Sequence, residues 1–311
     1  MMPDADRSLC KQGPQLINTM TVDVEDYFQV SAFSGVIARS AWESCPQRIV
    51  PNIERIMSLF DGAGVKGTFF VLGWIAERHP DLVRAIADAG HEIASHGYEH
   101  VRVTQQTPEQ FSIDVQRTKA LLEDITGQGV MGYRAASFSI DASTPWAPAI
   151  LHKQGFRYSS SIYPIQHDHY GMRDAPRFAY EDEGDGLLEI PISTAALRGR
   201  RIPCGGGGYF RLYPYWFSRW ALRRINARDR RPAVFYFHPW ELDPGQPRTP
   251  GVNLKTQFRH YINLKHMEGR IERLLRDFRW GRMDQIFLRQ RESTAGRRPS
   301  LCPRPQAIPT A

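Results

Sequence analysis

From residue 16 to about residue 289, short apolar runs alternate with stretches whose apolar residues recur at helical spacing. Residues 16–24 form an apolar run that ends in acids, which predicts a strand. Ile53, Ile56, Met57 and Phe60 share one face of a predicted helix over 49–60, closed by Gly62 and Gly64. A strand over 65–72, a helix over 74–89 closed by Gly90, and a short strand over 91–95 follow. Thr107, Pro108 and Gln110 spell a capping box that opens a helix running to about Ile125 and ended by Gly127. Strands are predicted at 129–134, 156–162, 187–192 and 233–237, with helices at 145–153 and 267–278. The intervening segment 239–270 reads as a long Pro/Gly-rich connection.

Strands alternating with helices call for βαβ units and a parallel sheet. About seven such units close most naturally into a β/α barrel, whose functional residues sit where strands end. No repeat of fixed period is present. The glycine run 205–208 lacks the Lys-Ser/Thr of a phosphate loop and reads as a flexible turn or a surface where a ligand approaches the backbone.

The 311 residues suffice for a large buried core. The formal charge of +7 gathers in arginine clusters at 198–201, 219–231 and 297–298, read chiefly as solvated surface and secondarily as a means of steering an acidic polymer. Cys10, Cys45, Cys204 and Cys302 show neither a zinc-knuckle nor a disulfide spacing. No apolar run is long enough to span a bilayer. Residues 1–15 read as a loose polar leader without the core of a secretory signal, and 290–311 as a disordered tail, so a cytoplasmic protein is expected.

Candidate chemistry follows the strands. Asp23, Glu25 and Asp26 crowd three carboxylates at the end of the first one, an arrangement that favours a cation or a base role. His96 and His100 follow the third; one helical turn would place both imidazoles on one face as metal ligands. Arg134 ends another strand and is suited to hold a carboxylate ionised. His238 ends the last. Carboxylate, two imidazoles, arginine and a third histidine make up a set for metal-assisted hydrolysis of an amide or ester.

The strings TVDVEDYFQVSAF, GTFFVLGWIAERHPDLVRAIADAGHEIASHGYEH, GGGYFRLYPY and FYFHPWELDPGQP resemble those of the NodB-type polysaccharide deacetylases, carbohydrate esterase family 4, and within them the group tied to exosortase and exopolysaccharide loci. The resemblance implies a distorted (β/α)7 barrel over 16–289, with a family-specific extension from about 239, and a divalent metal, usually Zn2+. It implies Asp23 as general base, His96 and His100 as metal ligands with Asp26 favoured over Glu25 as the third, and Arg134 bracing the base. Ser137 N–H would be the oxyanion donor, His238 the general acid, and Tyr27, Phe28, Tyr209 and Trp240 sugar-stacking aromatics. Two departures are Ala136 for a proline and Ser159 for an aspartate that charges the acid histidine; Glu241 is one candidate substitute. The implied partner is a polymer of N-acetylated amino sugars, with exopolysaccharide export proteins and no nucleic acid. Competing readings are hydrolysis of another small amide on the same site, and a non-catalytic glycan-binding member of an export complex.

Overall fold

The computed structural model describes residues 16–168, 170–181 and 186–289. The leader 1–15 and the tail 290–311, with Cys10, Arg297, Arg298 and Cys302, lie outside the described residues. The strands are β1 (Ile17–Val24), β2 (Thr68–Val71), β3 (Glu92–Ser95), β4 (Gly132–Tyr133), β5 (Tyr158–Ser159), β6 (Tyr180–Glu181), β7 (Leu188–Glu189), β8 (Thr194–Leu197), β9 (Arg200–Pro203), β10 (Val234–Phe237) and β11 (Arg279–Gly281). The helices are α1 (Ile49–Gly62), α2 (Gly73–Arg78), α3 (Pro80–Asp88), α4 (Pro108–Thr126), α5 (Ala147–Lys153), α6 (Gly207–Leu212), α7 (Tyr215–Arg224), α8 (Leu254–Tyr261) and α9 (Leu264–Asp277).

Seven parallel strands run in the order β10-β1-β2-β3-β4-β5-β7. β6 adds antiparallel to β7, β11 adds parallel to β1, and β8–β9 form a separate hairpin. The sheet curls until the chain after β7 reaches β10: Ser193 N–H donates to Val234 O (3.4 Å) and Tyr236 N–H to Gly205 O (2.7 Å). The expected distorted (β/α)7 barrel is therefore the fold, its last seam made by irregular chain rather than a full ladder.

Alternation along the strands sorts the core into two layers. Met20, Val22, Val24, Phe69, Val71, Ile93, Tyr133, Phe235 and Phe237 pack outward against the helices. Phe70, Ala94, Tyr158, Leu188, Val234 and Tyr236 fill the barrel. Counting on by two places Asp23, His96, Arg134 and His238 inward at the same rim.

Some boundaries differ from expectation. The predicted helix 74–89 is two helices, because Pro80 cannot donate to the preceding turn and starts a new one. The capping box at Thr107 and the left-handed Gly127 (φ 65°) bound α4. The connection 239–270 contains α8 and a 3-10 turn, Pro239–Leu242. The glycine run is not a loose turn: Gly205 and Gly206 are packed, while Gly208 lines a cleft. A Cβ on Gly205 would meet Val234 O at 2.4 Å, and one on Gly206 the Tyr236 ring at 2.7 Å, so these glycines let the chain lie directly on β10.

Candidate metal and catalytic centre

At the rim, Glu25, His96 and His100 each offer a ligand atom, all within 4.8 Å of one another and all buried. The two histidines are not on a helical turn. His96 follows β3 directly, and the chain bends through Gly97 (φ 75°) and a left-handed His100 (φ 53°) to bring the rings 5.2 Å apart. His96 Nδ1 lies 2.8 Å from Arg134 O, so it donates there and leaves Nε2 as a lone pair facing the cluster. Burial outweighs the nearby Asp23 carboxylate and lowers the His96 pKa to about 4, keeping the ring neutral as a ligand must be.

The third member is Glu25, not the favoured Asp26. Two residues beyond Asp23, Glu25 stays on the inward face, whereas Asp26 turns away. Asp26 Oδ1 accepts from Tyr27 N–H (2.8 Å) and its Oδ2 from Arg48 N–H (2.6 Å), capping the 3-10 turn Tyr27–Gln29. Burial raises the Asp26 pKa to about 6. For Glu25, burial raises the pKa but His100 and His238 overcome it, and the value falls to about 2. Its Oε2 lies 2.9 Å from His100 Nε2 without a well-aligned hydrogen bond from any described residue. An orphaned carboxylate oxygen beside two imidazoles fits a divalent cation.

Asp23 stands beside this cluster. Its Oδ1 accepts from Arg134 Nη1 (2.5 Å), and its Oδ2 is 4.0 Å from His238 Nε2. Arg134 is fully buried; it also donates to Thr21 Oγ1 and Ser160, and lies 4.0 Å over the Phe70 ring. A buried guanidinium without such partners would be costly, so its position is fixed.

His238 Nε2 points into the cleft, 3.3 Å from Glu25 Oε1, while Nδ1 is 2.8 Å from Glu241 Oε1. Burial alone would lower the His238 pKa; the carboxylates of Glu25, Glu241 and Asp23 outweigh it and raise the value to about 9. Glu241 is in turn held by Arg211, whose Nε donates at 2.7 Å and whose Nη atoms donate to the carbonyls of Arg259, His260 and Ile262. Both are buried. A Cβ on Gly207 would lie 2.3 Å from Glu241 Oε1, which explains that glycine. Arg211 escaped the sequence reading: nothing within GYFRL signals a residue that folds back onto position 241. Ser159 joins Ser161 and the buried Glu189 rather than His238.

Ser137, left-handed at φ 53°, lines the cleft with its Oγ 2.6 Å from Ser31 Oγ. Of the aromatics expected at sugar, Phe28 and Trp240 line this cleft. Trp240 stacks on His238 with ring centroids 5.1 Å apart. Tyr27 does not line it: it is 3% exposed and packs edge-on against Phe28. Cys45 and Cys204 are free thiols. No helix among the described residues is long and apolar enough to cross a membrane.

Residues 41–159 match the polysaccharide deacetylase family, and residues 160–288 match DUF3473, a domain of unknown function. Residues 41–159 are thus similar to a polysaccharide deacetylase domain. The deacetylase match takes in His96, His100 and Arg134, while His238, Glu241 and Arg211 fall in the DUF3473 segment. One sheet runs through both, since β7 pairs with β5. A peptidoglycan deacetylase-like protein of Gibberella zeae is 35% identical over 113 residues, 36% of this chain and 32% of that protein. A peptidoglycan deacetylase of Helicobacter pylori is 31% identical over 111 residues, 36% of this chain and 37% of that protein. The chain thus spans about a third of the length of these relatives. A Mycobacterium smegmatis protein assigned to the polysaccharide deacetylases shares the fold at TM-score 0.56 and 23% identity, over 95% of this chain and 94% of that one. An allantoinase does so at TM-score 0.55 and 16% identity, over 94% and 98%.

Proposed function

We propose that this protein hydrolyses the N-acetyl group of an amino sugar within a polysaccharide, releasing acetate and leaving a free amine. The observation that carries the reading is the flanking of the Glu25–His96–His100 cluster by a carboxylate and an imidazole whose reactive atoms, Asp23 Oδ2 and His238 Nε2, are 4.0 Å apart. A base and an acid at that separation can serve the two proton transfers of amide hydrolysis at one carbon.

A divalent cation held by Glu25, His96 and His100 would polarise the amide carbonyl and acidify an attacking water. The remaining steps belong to the chain. Asp23 Oδ2, left free by Arg134, accepts the proton of the attacking water; the guanidinium keeps that carboxylate ionised and aimed. Glu241 accepts from His238 Nδ1–H, so the second proton of the imidazolium sits on Nε2, facing the cleft, and passes to the departing nitrogen. Ser137 N–H, at the wall of the cleft, donates to the oxygen of the tetrahedral intermediate. Trp240 offers its edge to the sugar beside the acid.

The Helicobacter pylori relative is a peptidoglycan deacetylase, which supports an N-acetylated amino-sugar polymer as the substrate class. An exopolysaccharide is the polymer we favour, on the resemblance of the strings around Asp23 and His238. The test is acetate release from N-acetylglucosamine oligomers with Zn2+ present, beside assays for formate release and for ring opening of cyclic amides. Acetate release that is lost in Asp23→Asn supports the reading. Formate release or ring opening without acetate would assign the site to another amide.

A further inference from the structure

A second cavity, of about 310 Å3, opens off the cleft that holds the cation cluster. The two adjoin, with Val30, Ala32, Tyr170, Gly208, Tyr236 and Trp240 as common walls, so a molecule seated at the cluster lies next to it. Past Trp240 the lining becomes apolar, with Tyr209, Leu212, Phe258 and Ile262. Two of the polar side chains that border it are already engaged. His260 Nε2 is 2.7 Å from Gln246 Oε1 and its ring stacks on Trp240 at 4.1 Å, while Arg259 Nη1 donates to both oxygens of Asp168 at 3.1 and 3.2 Å. A sugar ring buried against Leu212, Phe258 and Ile262 would leave several hydroxyls without partners, which is costly. An alkyl group would not.

The rim carries the same signal. Phe258 and Leu212 are 59% and 46% exposed, and Leu254, one turn before Phe258 on α8 and on the same face, is 83% exposed. Large apolar side chains left open around a cavity that joins a reaction site mark a surface that an apolar ligand covers.

We propose that this cavity binds an alkyl chain carried by the amino sugar whose amide lies at the cation cluster, making the substrate an amphiphile rather than a bare glycan. The proposal rests on the deacetylation reading for the position of the amide, and on the cavity alone for the chain. Two attachments supply the same chemistry: a lipid aglycone, or an acyl group longer than acetyl.

The experiment compares three compounds on the Zn2+-loaded protein: the methyl glycoside of N-acetylglucosamine, its hexyl glycoside, and the methyl glycoside of N-hexanoylglucosamine. Each buried methylene tightens binding about fourfold, so a KM at least about tenfold below that of the first compound is expected for one of the two longer ones. The hexyl glycoside identifies an aglycone, the hexanoyl compound an acyl chain. Phe258→Asp and Leu212→Asp, both at the open rim where folding tolerates change, should bring the ratio of KM values towards one. If nothing is hydrolysed yet calorimetry shows the same tenfold preference and the same loss in both variants, the cavity assignment stands and the deacetylation reading falls. Equal KM and Kd for all three compounds overturns the cavity assignment while leaving deacetylation intact.

Discussion

Glu241 Oε1 lies 2.8 Å from Nδ1 of His238 and also accepts the His238 backbone N–H at 3.1 Å, so one carboxylate oxygen fixes both the ring and the main chain of that histidine. A serine at position 159 therefore costs the site no charge: the carboxylate comes from the other flank of the histidine, three residues along the same chain.

Glu241→Gln should lower kcat by about a hundredfold with little change in KM, since the carboxylate acts through His238 and touches no substrate. Ser159→Asp should change neither constant appreciably. Steady-state kinetics on N-acetylglucosamine oligomers check both; a wild-type kcat for Glu241→Gln would remove Glu241 from the mechanism.

The two neighbouring acids after β1 should separate cleanly in metal binding. Glu25→Gln is expected to weaken Zn2+ binding at least about tenfold, and Asp26→Asn to leave it within about threefold. Isothermal titration of the metal-free protein measures both, and the opposite ranking would return the third ligand to Asp26.

Gly207→Ala should destabilise the fold by about 1–3 kcal/mol, because the new methyl would press on Glu241 where Arg211 and His238 already hold it. Gly208→Ala, with nothing within 4 Å of its added methyl, is the control and should gain up to about 1 kcal/mol from helix propensity. Urea unfolding midpoints decide the comparison.

Glu92 should make stability depend on pH. Burial, reinforced by Asp284, raises its pKa from 4.5 to about 7 against the hydrogen bonds donated by Thr68 and Tyr158. The folded state thus binds its proton more tightly than the unfolded chain does. The contribution is fully present below pH 4.5 and is lost as pH rises to about 7. The stability of wild type relative to Glu92→Gln should fall across that window; a difference independent of pH would contradict it.

Much of this site was written in strand-end positions. Asp23, His96, Arg134 and His238 each follow an apolar run directly, and period-two alternation turns all four inward. The same rule, applied two residues beyond Asp23, selects Glu25 over Asp26; resemblance to a familiar motif pointed to the wrong neighbour. Arg211 lay beyond reach, because its partners at 241 and 259–262 are set by how α6 docks on β10, and no local pattern encodes that docking. Tyr27 was misplaced for a related reason: an aromatic beside a site is as readily a brick in its wall as a contact for its ligand, and here the Asp26 cap turns the ring into the core.

Because β1 is hydrogen-bonded on one side to β10, more than two hundred positions later, the nascent chain must wait for most of its length to be synthesised before that flank is covered. Until Val234–Phe237 arrive, an apolar strand bearing three acids at its tip is left with a row of unsatisfied amides, a template for pairing with another molecule. Cutting the chain at the boundary between its two family matches would not release a smaller stable unit. It would make that temporary hazard permanent.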